Sequence, residues 1–66
     1  MARNYIKKIR EERLISKSEL ARKAGISPIT IDRIEGGHPC RVETKRKLIK
    51  ALGYTLSERT MVFPEE

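Results

Sequence analysis

His38 and Cys40 are the single histidine and single cysteine of a 66-residue chain, and they stand two positions apart. A protein zinc site takes about four ligands, mostly Cys and His, so no metal site is expected from this pair. A Cys–His nucleophilic couple would need a shaped pocket and an oxyanion hole, for which so short a chain has little room. No enzyme activity, cofactor or small-molecule ligand is therefore expected. Cys40 precedes Arg41 near an expected helix start, where a lowered thiol pKa would suit a redox switch. The simpler reading is a small loop residue. The abundant chemistry is positive charge: 15 Lys and Arg against 9 Asp and Glu, a formal charge of +6. That balance suits a polyanionic partner, nucleic acid first. A small, highly charged protein with no such partner is the alternative.

These side chains belong to one domain, residues 1–66. A domain of this size buries a modest core and is marginal unless well packed or assembled with a partner. Hydrophobic content is 38% without a long apolar run, so no membrane span is expected. The N-terminus lacks the apolar stretch of a signal peptide, and one cysteine cannot form an internal disulfide. A cytoplasmic location follows as the expectation.

The stretch 16–35 carries the strongest local signals. Ser16 and Glu19 have capping-box spacing: the serine oxygen can accept from the Glu19 amide while the carboxylate reaches back. A short helix should follow, with Leu20, Ala21 and Ala24 on one face. Gly25 stands where a left-handed residue would end it. Ser27 and Pro28 then suit the cap and first position of another helix. Ile31 and Ile34 give that helix, residues 27–35, its apolar face, and Gly36-Gly37 ends it. Two short helices joined by a tight glycine turn make a helix-turn-helix.

The spacing of Leu20, Ala21, Gly25, Ile26, Ser27, Ile31, Ile34, Glu35 and Gly37 resembles the phage-repressor and Cro type of helix-turn-helix protein, the Xre type. The resemblance runs from about Ile6 to Leu56. It implies a lambda-repressor-like all-α domain, a compact bundle of five short helices that binds double-stranded DNA in the major groove as a homodimer. It also implies an ion pair between Arg10 and Glu35. Physically, a guanidinium and a carboxylate can pair in a bidentate way and tie the first helix to the third; two unrelated surface charges are the alternative.

The flanking elements can be read from the residues. Asn4 to Arg13 looks like a first helix, with Ile6 and Ile9 inward. The family often has glycine or asparagine where Leu14 stands, so this turn is expected to be shaped differently here. Ile15 should pack inward as a staple before the Ser16 cap. Gly36 to Cys40 reads as a loop. Arg41 to Leu52 reads as a fourth helix, with Val42, Leu48, Ile49 and Leu52 on one stripe and Lys45 snorkelling. Thr55 and Glu58 repeat the capping-box spacing, so a fifth helix is expected near Leu56. A strand-like arm over Thr60 to Phe63 competes with it.

DNA needs cationic side chains and aimed amides around the docking surface. The expected phosphate contacts are Ser16, Lys17 and Ser18 at the start of the second helix, Ser27 at the start of the third, the loop residues Gly37, His38 and Arg41, and Thr44 and Lys45 on the fourth. The family usually has glutamine where Lys17 stands, so its contact geometry differs. By the resemblance, the base-facing positions are Pro28, Ile29 and Arg33, with Thr30 and Asp32 at the margins. Arg33 can donate two hydrogen bonds to a guanine edge, and Ile29 can pack on a thymine methyl. Pro28 and Ile29 replace the glutamine or serine common in the family. With Lys17, Arg33 and Arg41 on DNA in both halves of a dimer, about six cationic contacts form and the log–log salt slope is on the order of −5.

The expected role is sequence-specific transcriptional regulation, repression above all. An antitoxin that binds DNA and a toxin, or a protein-interaction module with the same fold, are the alternatives. Dimerisation would need apolar surface late in the chain, residues 54–63: Tyr54, Leu56, Met61, Val62 and Phe63. The alternative is that these residues close the core of their own subunit.

Overall fold

Serine oxygens start the two central helices. Ser16 Oγ accepts from the Glu19 amide at 3.0 Å and Ser27 Oγ from the Thr30 amide at 3.2 Å, each satisfying an amide that has no partner within its helix. In the computed structural model, which describes residues 4–64, these caps begin α2 (Lys17–Ala24) and α3 (Pro28–Glu35). They are flanked by α1 (Ile6–Glu12) and α4 (Val42–Ala51), and a 3-10 helix, Leu56–Met61, follows. The architecture is all-helical, four α-helices and one 3-10 helix among the described residues, with no strand. The Ser16 box is only half formed: the Glu19 carboxylate lies 3.8 Å from Lys23 Nζ, one turn along its own helix. At the 3-10 helix the carboxylate does reach back, and Glu58 Oε1 accepts from the Thr55 amide at 2.9 Å.

The four α-helices end in one way. A left-handed residue follows each: Leu14 (φ 56), Gly25 (φ 72), Gly37 (φ 99) and Gly53 (φ 90). The next amide then turns back to the helix, Ile15 to Arg10, Ile26 to Ala21, His38 to Arg33 and Tyr54 to Ile49, at 2.9–3.1 Å. This closure satisfies orphan carbonyls and favours glycine, which has no Cβ to clash. Leu14 therefore corrects the expectation of a differently shaped turn. The leucine adopts the left-handed conformation itself, with its side chain 91% exposed.

The core follows from the apolar stripes. Ile6, Leu20, Ile31, Leu48, Leu52 and Val62 are the largest fully buried side chains, each worth roughly 2 kcal/mol of transfer free energy. Helix α2 packs on both α3 and α4, and α4 on the 3-10 helix; Ile15 packs against the same core from the α1–α2 turn. The expected Met-Val-Phe surface is corrected here. The 3-10 turn leaves Met61 at 53% exposure and drives Val62 (0%) and Phe63 (6%) into their own subunit's core, so these two offer no face to a second copy. The strand-like arm over 60–63 is likewise absent. The Val62 carbonyl accepts from the Tyr5 amide at 2.8 Å, joining the two ends of the described chain.

Asn4 explains why α1 starts two residues later than its periodicity suggested. Its Oδ1 accepts from the Ile6 amide at 3.2 Å, while its Nδ2 donates to the Ile34 carbonyl at 2.8 Å. One side chain thus starts α1 and secures the end of α3. No described helix is long and apolar enough to cross a membrane.

Candidate nucleic-acid interface

Helix α3 presents one buried and one open face. Ile31 and Ile34 face the core, whereas Pro28, Ile29, Asp32 and Arg33 are exposed, Ile29 at 71%. Thr30 lies between, its Oγ1 2.9 Å from Ser27 Oγ. The exposed face needs a rigid mount, and Glu35 supplies it at the end of the helix. Arg10 Nε donates to Glu35 Oε2 at 2.8 Å and Nη2 to Oε1 at 3.3 Å. Arg10 Nη1 donates in addition to the Ile15 carbonyl at 3.0 Å. One guanidinium therefore joins α1, the α1–α2 turn and α3. The side chains are 11% and 5% exposed, and the hydrogen bond to Glu35 raises the arginine pKa further.

Beside α3 runs a cleft of about 530 Å³. Thr30, Arg33 and Ile34 form one wall, and His38, Pro39, Cys40, Arg41 and Thr44 the other. The cleft brings two of the expected base-facing residues together with three of the expected phosphate contacts. Its chemistry is cationic and hydroxylic, suited to anionic oxygens. Ser16 and Ser18 remain exposed at the start of α2, and Ser27 at the start of α3. Both starts direct helix amides and a positive dipole end outward.

Gly37, His38, Lys45 and Lys17 depart from their expected roles, and Cys40 follows the simpler reading of a loop residue. The Gly37 and His38 amides are not aimed at a ligand: they donate to the Ile34 and Arg33 carbonyls, at 3.0 and 3.1 Å. Lys45 belongs to a different surface. Its Nζ lies 5.5 Å from the centroid of the Phe63 ring, and it lines a separate groove with Val42, Arg46, Ile49, Leu56 and Arg59. Lys17 does not extend over the rim. Its Nζ lies 2.5 Å from Asp32 Oδ1, bridging α2 and α3, a pairing that the sequence reading missed. At Cys40 burial pushes the thiol pKa up, with only partial opposition from the Lys45 charge, which disfavours the thiolate that a redox switch requires. No cluster of metal-ligating side chains occurs among the described residues.

A family model described as helix-turn-helix matches residues 6–59, from the start of α1 into the 3-10 helix. No curated protein matches the sequence. The matched span contains the serine-capped helices, the glycine closure between them and the Arg10–Glu35 tie. The chain belongs to the phage-repressor, or Xre, type of helix-turn-helix proteins, a family of DNA-binding transcription regulators.

Proposed function

We propose that the chain represses transcription by occupying a promoter as a homodimer, with α3 of each protomer in the major groove. The observation that carries this reading is the cleft in which Thr30 and Arg33 face His38, Arg41 and Thr44. With α3 in the groove, Arg33 donates to a guanine edge and Ile29 packs on a thymine methyl. Arg41, His38 and Thr44 then meet the phosphates of one strand, and the α2 start at Ser16 and Ser18 meets those of the other. One helix spans few base pairs, so specificity calls for two half-sites about 34 Å apart, one turn of DNA. Of the apolar residues at 54–63, Leu56 and Met61 are exposed and Tyr54 is half-buried, which leaves these three for the contact between copies.

Selection of bound duplexes from a random pool tests the proposal. Enrichment of a two-fold symmetric sequence with half-sites one turn apart is the expected result. A pool that stays random after repeated rounds would overturn it. Enrichment of a single, unpaired half-site would remove the dimer and leave the groove contact.

A further inference from the structure

The Lys17–Asp32 pair sits where a phosphate contact was expected. Lys17 is the first residue of α2 and Asp32 lies on the exposed face of α3, so the pair crosses the surface that docks. Two features argue for a role in binding. A bare carboxylate on a groove-reading helix would be repelled by DNA, and Lys17 neutralises it. Both side chains are open to solvent, at 41% and 66% exposure, and an exposed ion pair is weak enough to exchange partners. A carboxylate can accept from the amino group of cytosine, and an ammonium can meet a phosphate.

We propose that Asp32 is a specificity-determining residue that keeps Lys17 off the phosphate backbone until a cognate base takes its place. The proposal rests on the DNA-binding reading above. On non-cognate DNA the pair stays closed, and Lys17 adds nothing to counterion release. On the cognate site Asp32 accepts from a base amino group, and Lys17 is released to a phosphate. Base recognition is thereby coupled to one additional backbone contact per protomer. Removing Asp32 frees Lys17 everywhere, so non-specific affinity rises and discrimination falls. The raised Lys17 pKa and the lowered Asp32 pKa, each caused chiefly by their mutual hydrogen bond, agree with a closed pair in the free protein.

The test is a salt titration of four proteins: wild type, Asp32→Asn, Lys17→Gln and the double variant. Each is measured on the selected duplex and on a scrambled one. Wild type should show a steeper slope on the selected duplex than on the scrambled one, by about 0.9 per protomer. Asp32→Asn should steepen the scrambled slope by the same amount, equivalent to roughly 3.5-fold in affinity per protomer, or about twelvefold for the dimer, across a fourfold change in salt. The double variant should lose that gain, and Lys17→Gln alone should leave the scrambled slope unchanged. If the Asp32→Asn gain persists without Lys17, the effect is a general loss of negative charge and the proposal fails. If Lys17→Gln flattens the scrambled slope, Lys17 already contacts phosphate there and the proposal also fails. Flat slopes for all four proteins on both duplexes would overturn the DNA-binding reading itself. Thermal melts of the same proteins exclude unfolding as the cause.

Discussion

Arg10 and Glu35, 25 positions apart, meet through two hydrogen bonds, Nε to Oε2 at 2.8 Å and Nη2 to Oε1 at 3.3 Å. The bond from Arg10 Nη1 to the Ile15 carbonyl makes the guanidinium a three-way junction beneath the proposed reading helix. Neither residue is among the proposed DNA contacts, and the pair's contribution is to hold α3 in place.

Removing one partner of this pair leaves a largely buried charge without compensation. Arg10→Ala or Glu35→Ala should each destabilise the domain by about 3 kcal/mol. The double variant should lose much less than the sum, because the second substitution removes the orphaned charge. Thermal or urea unfolding of the three variants measures this. Additive losses below about 1 kcal/mol would mean that the pair behaves as a solvent-exposed one.

Leu14 is the non-glycine residue with positive φ among those described. A left-handed conformation costs a branched side chain about 1–2 kcal/mol, and this side chain is almost wholly exposed, so it gains little from packing. Leu14→Asn should stabilise the domain by about 1 kcal/mol, because asparagine tolerates this region. A raised melting temperature is the expected result. A lowered one would show that Leu14 makes contacts outweighing its backbone strain.

The end of the chain separates core from surface residue by residue. Phe63→Ala should cost about 3 kcal/mol, as deletion of a buried aromatic does. Leu56→Asp with Met61→Asp should leave the monomer folded while weakening self-association in sedimentation. An unfolded double variant would place these two residues in the core. Unchanged self-association would move the proposed contact elsewhere.

Glu58 gives a pH dependence. Hydrogen bonds from the Thr55 amide and hydroxyl lower its pKa. A carboxyl with a lower pKa folded than unfolded stabilises the fold above its unfolded value, about 4.3, and loses that effect as pH falls through the folded value. Glu58→Gln should therefore melt earlier than wild type near neutral pH, with the gap closing in acid. A constant gap from neutral to about pH 2 would mean that the charge is not what caps the turn.

The parts of the fold legible in the sequence are those fixed within four or five residues. Ser16, Ser27 and Gly25 mark helix starts and a stop through local bonds, so the helix-turn-helix could be read directly. The Arg10–Glu35 tie crosses the fold and was suggested by family resemblance, since the spacing of two charges does not determine their meeting. Lys17 and Asp32 show the same limit: their pairing depends on how α2 and α3 cross, which a separation of 15 positions does not reveal. Lys45 looked like a phosphate ligand until the packing of the final segment brought Phe63 beneath it. In Met61-Val62-Phe63, hydropathy alone cannot show that the end of a 3-10 turn sends the first residue outward and the next two inward. The bond from Asn4 to Ile34 gave no signal, because it depends on a carbonyl 30 positions away.

Substitution of each guanine of the selected duplex by 7-deazaguanine tests the docking of α3 most directly. The change removes the N7 acceptor in the major groove and leaves base pairing intact. Binding by wild type and Arg33→Ala should be measured by fluorescence anisotropy. One position in each half-site should weaken wild-type binding about tenfold, near the lower end of the 1–3 kcal/mol of a bidentate base contact, and the same substitution should leave Arg33→Ala binding unchanged. Equal losses for both proteins, or no sensitive guanine in the selected site, would contradict major-groove reading by Arg33.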